Sequence, residues 1–214
     1  YFGEGRRWGT QIGYSFEGHI EAGETVASPV GSAGGIKRIQ DFGGFFDDTF
    51  VVVCGDALID LDLASVVRKH WQSGAAASIV VREVAKDRVS NYGVVVCDDS
   101  GQIQSFQEKP KTEDALSQLV NTGIYIFEPE IVDLIPRGID FDIGGELFPL
   151  ILEKRLSFNA IKAPFNWIDI GQLSDYWEAN QQMMRGKLRG VQMPGTEVRP
   201  KIWAGLNVKV DWDD

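Results

Sequence analysis

The sequence predicts an α/β domain with a mixed sheet, and three observations carry that prediction. Short apolar runs (Phe50–Cys54, Ala76–Val84, Asn121–Phe127) have the length and continuity of buried strands. Stretches of helical period lie between them, as at Leu63, Val66, Val67 and His70. One hairpin pattern interrupts the alternation: Gly93–Cys97 and Gln102–Phe106 flank the turn Asp98-Asp99-Ser100-Gly101, which makes the sheet mixed.

A chain of 214 residues suits one such domain with a large core. Apolar content of 43% and charged content of 24% are those of a globular protein. A formal charge of −10 argues against a nucleic-acid duplex or an anionic membrane as partner. Nucleotides stay admissible, because a divalent cation reverses the local field. No apolar run approaches the roughly 20 residues of a membrane span, and no signal peptide is visible. Cys54 and Cys97 each end an apolar run, so buried, reduced thiols and a cytoplasmic location are expected. With His19 and His70 scattered, a zinc site is not expected.

The elements follow in order. Residues 1–9 are a Gly-rich loop; Gly3-Glu4-Gly5-Arg6-Arg7 lacks the strand before it and the helix after it that a phosphate loop needs. Gln11–Phe16 reads as a strand. Pro29 to Gly35 is a Gly-rich turn before a helix from Ile36 to about Phe46. Small residues there either admit a flat ligand to the backbone or make a tight connection. Asp62 is an N-cap, and His70 lies on the apolar stripe of the helix it opens, where packing is expected. Pro129–Ile135 is a short helix. Pro149 fits the first position of a helix over Phe148–Lys154. Phe158–Ala163 and Asn166–Ile170 are strands, and Leu173–Arg185 is an amphipathic helix with Tyr176, Trp177, Met183 and Met184 on one side. The domain is placed at 1–190 and an extension at 191–214.

Two acids stand out. Asp56 follows the apolar run Phe50–Cys54 across Gly55, and Asp169 closes a strand two residues before Gly171. Ligand sites of open α/β sheets lie outside the carboxyl ends of the strands, so each is either a ligand-binding acid or a turn residue. Asp60-Leu61-Asp62 spells a D-x-D pair of the kind used by metal-dependent glycosyltransferases, which a turn followed by a helix cap also explains.

The ordered set GSAGG, CGD, NYGVVV, FQEKP, NTGIYIF and WIDIGQLSDY resembles the sugar-1-phosphate nucleotidylyltransferases, with most likeness to mannose-1-phosphate guanylyltransferases. The resemblance implies a Rossmann-like, mixed-sheet nucleotide-diphospho-sugar transferase fold. The implied reaction joins a nucleoside triphosphate, GTP by this likeness, to a hexose-1-phosphate, mannose-1-phosphate, and releases pyrophosphate. It further implies that Gly31, Ser32, Ala33, Gly34 and Gly35 line the base and ribose, and that Asp56 and Asp169 hold Mg²⁺. Tyr92 and Gly93 would border the sugar, Glu108 would accept from its hydroxyls, Lys109 would meet its phosphate, and Asn121 with Thr122 would touch the sugar again. The family's first strand, with its Gly-rich loop, catalytic Arg and Lys, is not found. The first βα units are therefore expected to be absent, a left-handed β-helix to follow residue 191, and the fragment alone to be inactive. A glycosyltransferase using Asp60 and Asp62, and a non-catalytic sugar-nucleotide-binding subunit, stand as alternatives. Oligomeric state is open, a homo-oligomer included.

Overall fold

The computed structural model describes residues 2–191, 193 and 195–211. A short hairpin of β1 (Gly18–Glu21) and β2 (Glu24–Ala27) precedes α1 (Gly31–Gly43). Then come β3 (Phe50–Val53), β4 (Ala57–Ile59), α2 (Leu63–Ser73) and β5 (Ala77–Glu83). The predicted hairpin is β6 (Val94–Cys97) and β7 (Ile103–Gln107), followed by β8 (Leu119–Phe127) and α3 (Glu130–Asp133). The chain continues through α4 (Phe148–Glu153), β9 (Phe158–Lys162), β10 (Trp167–Asp169) and α5 (Leu173–Met184), and ends in a hairpin of β11 (Thr196–Arg199) and β12 (Ile202–Ala204).

The main sheet has six strands in the order β7-β6-β8-β5-β9, with β3 also bonded to β8. β5 and β9 run parallel, while β8 is antiparallel to β3, β5 and β6, so the sheet is mixed as predicted. Alternation along the strands feeds two cores. Ala77, Ile79, Val81, Tyr125 and Phe127 face α1, α3 and α4, whereas Val80, Ile124 and Ile126 face Val66 of α2 and Phe165. This two-sided burial is why the central strands read as unbroken apolar runs.

The Asp62 carboxylate accepts from the Ser65 amide at 3.1 Å and caps α2 as expected. His70 is buried; its Nδ1 bonds the Ser78 hydroxyl at 2.8 Å and its Nε2 the Glu128 carboxylate at 3.0 Å, pinning α2 to β5 and the end of β8.

Several expectations are corrected. β3 is not covered on both faces: Phe50 and Val52 pack inward, but Val51 and Val53 are exposed on a strand that, among the described residues, is bonded to β8 alone. Cys54 is exposed and Cys97 half-buried, both free, because the residue ending an apolar run has left its cover behind. Gln11–Phe16 forms no strand: no strand pairs with it among the described residues, and its Ile12 amide donates instead to the Glu4 carbonyl of the N-terminal loop at 3.0 Å. The β1–β2 hairpin escapes a search for apolar runs because its faces are exposed; it turns at Ala22 and Gly23, both in left-handed backbone. α1 starts at Gly31, five residues before the helix expected at Ile36. A wide turn over Ile143–Leu147, capped by Asp142, leads into α4 ahead of Pro149. Tyr176 and Trp177 of α5 are exposed rather than packed. Of the predicted extension, Gln192, Pro194 and residues 212–214 lie outside the described residues.

Candidate active site

β4 and β10 form a separate two-stranded antiparallel ribbon. Asp169 stands opposite Ala57, and the Ile170 amide donates to the Asp56 carbonyl at 3.1 Å. The two predicted acids therefore stand at the same end of the ribbon, in adjacent cross-strand pairs. The approach to Asp56 is set by β8: the Cys54 amide donates to the Gly123 carbonyl at 3.0 Å, and Gly123 holds a left-handed backbone where any Cβ would press on the Cys54 side chain. Burial raises the Asp169 carboxyl above its ordinary range; the charges of Asp56 and Asp175 add to this, and Lys109 opposes it. Although Cys54 as a residue is exposed, partial desolvation raises its thiol, and the charges of Asp56, Asp169 and Asp142 add to the rise.

Asp169 and Lys109 line a cavity of about 850 Å³ together with Tyr92, Trp167 and Asp175. The rings of Tyr92 and Trp167 lie 5.1 Å apart, and the Tyr92 hydroxyl accepts from Arg88 at 3.2 Å. The Trp167 indole N–H is buried and meets no acceptor among the described residues. Lys109 sits at φ 41°, a left-handed conformation. The chain thus turns Lys109 to the cavity, while the Glu108 carboxylate lies against Gly93 and Gly144, 3.3 Å from where a Cβ would stand on either. A side chain on Gly93 would also collide with the Phe106 ring.

Asn121 joins the same region, its amide donating to the Gly93 carbonyl at 2.8 Å. Its side-chain amide donates to the Tyr125 hydroxyl at 3.0 Å, and its Oδ1 accepts from Gly123 at 2.9 Å. Burial pushes the Tyr125 hydroxyl far above its usual range, against the Asn121 hydrogen bond, and Cys54, Asp142 and Glu108 add to the rise.

Not every predicted residue reaches the site. Thr122 is buried and its hydroxyl donates to the Val80 carbonyl at 2.8 Å; one position along a strand from Asn121, it necessarily faces the other way. Gly31 to Gly35 form the first turns of α1 rather than a loop. The amides of Ala33 and Gly34 are engaged by the Phe141 carbonyl at 2.9 and 3.0 Å, and Ala33 and Gly34 are buried. Ser32 is exposed but donates to Asp142 at 2.7 Å, so this segment borders the site through Asp142. Sequence reasoning missed Asp142, Tyr125 and the Trp167 indole, whose surroundings come from distant strands; an acid before Ile143-Gly144-Gly145 was a readable cap signal.

The Asp60 and Asp62 alternative fails on geometry. Asp62 caps α2, and the Asp60 carboxylate is taken up by Asn166 and Arg189. No cluster of three or more His, Cys, Asp or Glu side chains is placed to hold a metal among the described residues. Asp56 and Asp169 are donors of the chemical kind Mg²⁺ takes, hard oxygens of which often one or two are carboxylates, with water and phosphate completing the shell.

A mixed α/β sheet of this topology, with strand-end acids beside a polar cavity, defines a nucleotide-diphospho-sugar transferase fold. The chain belongs to the nucleotidyl transferase family, which it matches over residues 1–186. It is 53% identical over its whole length to a UTP–glucose-1-phosphate uridylyltransferase from Synechocystis, covering 55% of that protein. It is 30% identical to a mannose-1-phosphate guanylyltransferase from Mycobacterium tuberculosis, over 86% of the chain and 48% of the relative. The chain thus spans about half the length of these curated relatives. A crystal structure of UDP-glucose pyrophosphorylase with UDP-glucose superposes with a TM-score of 0.62 at 23% identity, over 74% of this chain and 64% of that one. The expected lean toward guanylyltransferases gives way: greater identity goes to the uridylyltransferase. Among the described residues no helix is long and apolar enough to cross a membrane.

Proposed function

We propose that this chain carries the sugar-phosphate-binding and metal-binding part of a uridylyltransferase that converts UTP and glucose-1-phosphate to UDP-glucose and pyrophosphate. A phosphate oxygen of the sugar phosphate attacks the α-phosphorus of the triphosphate, forming one P–O bond as the bond to pyrophosphate breaks. That oxygen is already ionised, so no general base is required. Two anions must meet, and the work is charge neutralisation and positioning.

Lys109 meets the sugar phosphate as a compact cation. Glu108 and Asn121 accept from and donate to sugar hydroxyls, and the Tyr92–Trp167 pair walls the sugar. Asp56 and Asp169 hold Mg²⁺, which supplies Lewis-acid charge at the phosphates when bound. The observation that carries this reading is the joint placement of Lys109 and Asp169 on one cavity, with Asp56 bonded to the same ribbon end. UTP and glucose-1-phosphate are chosen over GTP and mannose-1-phosphate because the uridylyltransferase relative is the more similar of the two compared.

Calorimetric titration with UDP-glucose, GDP-mannose and dTDP-glucose in the presence of Mg²⁺, alongside a pyrophosphate-release panel, tests it. UDP-glucose should bind most tightly. A preference for GDP-mannose would move the protein to the guanylyltransferase branch, and binding of all three without turnover in any length of the protein would favour a regulatory subunit.

A further inference from the structure

We infer that Asp60 is a positioning residue: by clamping the far end of the β4–β10 ribbon, it fixes the register that brings Asp56 and Asp169 together at the near end. Each strand of the ribbon is three residues long. A two-stranded ribbon of that length makes too few bonds to hold its own register. A slip of one residue would turn every β10 side chain to the other face, take Asp169 off the cavity it lines and part the Ile170 amide from the Asp56 carbonyl.

The bonds that prevent such a slip lie beyond the other end, between the residue after β4 and the residue before β10. The Asp60 amide donates to the Asn166 carbonyl at 3.3 Å. In return the Asn166 amide donates to Asp60 Oδ1, and Asn166 Nδ2 to Asp60 Oδ2, both at 2.6 Å. The Asp60 side chain is 1% exposed, so these are not surface contacts. From outside the ribbon the Arg189 amide donates to Oδ2 at 2.9 Å, and the Arg189 guanidinium donates to the Pro164 carbonyl at 2.7 Å. Asn166 Nδ2 also reaches the Lys187 carbonyl at 2.9 Å. Burial by itself would raise the Asp60 carboxyl, but hydrogen bonds from the Arg189 amide and from Asn166 outweigh it and hold the group far below the usual range. Asp60 is therefore an acceptor whose two carboxylate oxygens are both engaged by other segments, Asn166 before β10 and Arg189 after α5. That is the chemistry of an anchor rather than of a metal ligand.

The inference rests on the proposed function only for the importance given to the Asp56–Asp169 pair. Amide hydrogen exchange on the chain tests it directly. In Asp60→Ala the Ile170 amide, bonded to Asp56, should exchange about tenfold faster or more, as expected for losing hydrogen bonds to a charged group. The Cys54 amide, bonded to Gly123 in the main sheet, should keep its parent rate. Asn166→Ala, which cuts the clamp from the other strand, should reproduce the pattern, and Asp60→Asn, which keeps one acceptor oxygen, should show a smaller rise. An unchanged Ile170 rate, or equal acceleration of both amides, overturns the inference. Mn²⁺ titration followed by electron paramagnetic resonance separates the two readings. Weaker Mn²⁺ binding in step with Ile170 exchange supports the clamp. A parent chain that binds no Mn²⁺ counts against the metal role of the acids and leaves the exchange result standing.

Discussion

Asp169 is coupled to Asp56: the amide of the residue after Asp169 donates to the Asp56 carbonyl, and the charge of Asp56 helps to raise the Asp169 carboxyl. Burial is the larger cause. A carboxyl raised in the folded state binds its proton more tightly there than in the unfolded chain, so stability falls as pH rises through that folded value. Asp169→Asn should therefore melt at a higher temperature than the parent at pH 7. The difference should vanish near pH 3, below the unfolded value of about 3.9, while Mn²⁺ binding is lost at neutral pH. Thermal melts at both pH values check the sign; a variant less stable at pH 7 would show that Asp169 is held by favourable contacts instead.

Lys109 combines a charge with a backbone conformation that suits glycine. Lys109→Gly should be more stable than Lys109→Ala by about 1 kcal/mol, and both should bind glucose-1-phosphate poorly. Denaturant midpoints rank the stabilities. If Lys109→Ala keeps full affinity, the lysine does not meet the phosphate.

Asn121 and Thr122 are neighbours with separate fates. Thr122→Val leaves the Val80 carbonyl without its donor and should cost about 1–2 kcal/mol, with sugar-phosphate affinity unchanged under conditions where the variant is folded. Asn121→Ala should do the reverse, weakening UDP-glucose binding more than it lowers the melting temperature. Parallel calorimetry and melts of the two variants decide it.

Glu108→Gln should weaken glucose-1-phosphate binding by roughly tenfold, the scale of a charged hydrogen bond, and largely spare UTP. Equal losses for both ligands would assign Glu108 a structural role through its contacts with Gly93 and Gly144.

Much of this architecture was legible in the residues. β5, β8 and α2 were readable because central strands and capped, strongly periodic helices carry their environment in local pattern. The run Phe50–Val53 misled, since apolar continuity records an affinity for burial but not a strand's place in the sheet. β4 was missed because three residues are too few to show a period. In the site, the pairing of Asp56 with Asp169 was foreseeable from two strand-end acids beside glycines. The roles of Asp142, Tyr125 and Asp60 were not, because each is defined by partners that only the folded chain brings near.

The arrangement of β8 has a consequence for synthesis. Along one edge β8 holds β5; along the other it holds β6 near its start and β3 near its end. Among the described residues, β3 and β5 therefore have no sheet partner to pair with until Phe127 has left the ribosome. β3, with Val51 and Val53 bare, waits longest. The pairing of β3 and β5 through β8 is then a late step, ahead only of the addition of β9, and a force-sensing arrest peptide should register little pull from nascent chains ending before residue 127 and a sharp one soon after it emerges. In the interval the unpaired strands are open to other chains, so holding chaperones should matter most between the emergence of β5 and that of Phe127.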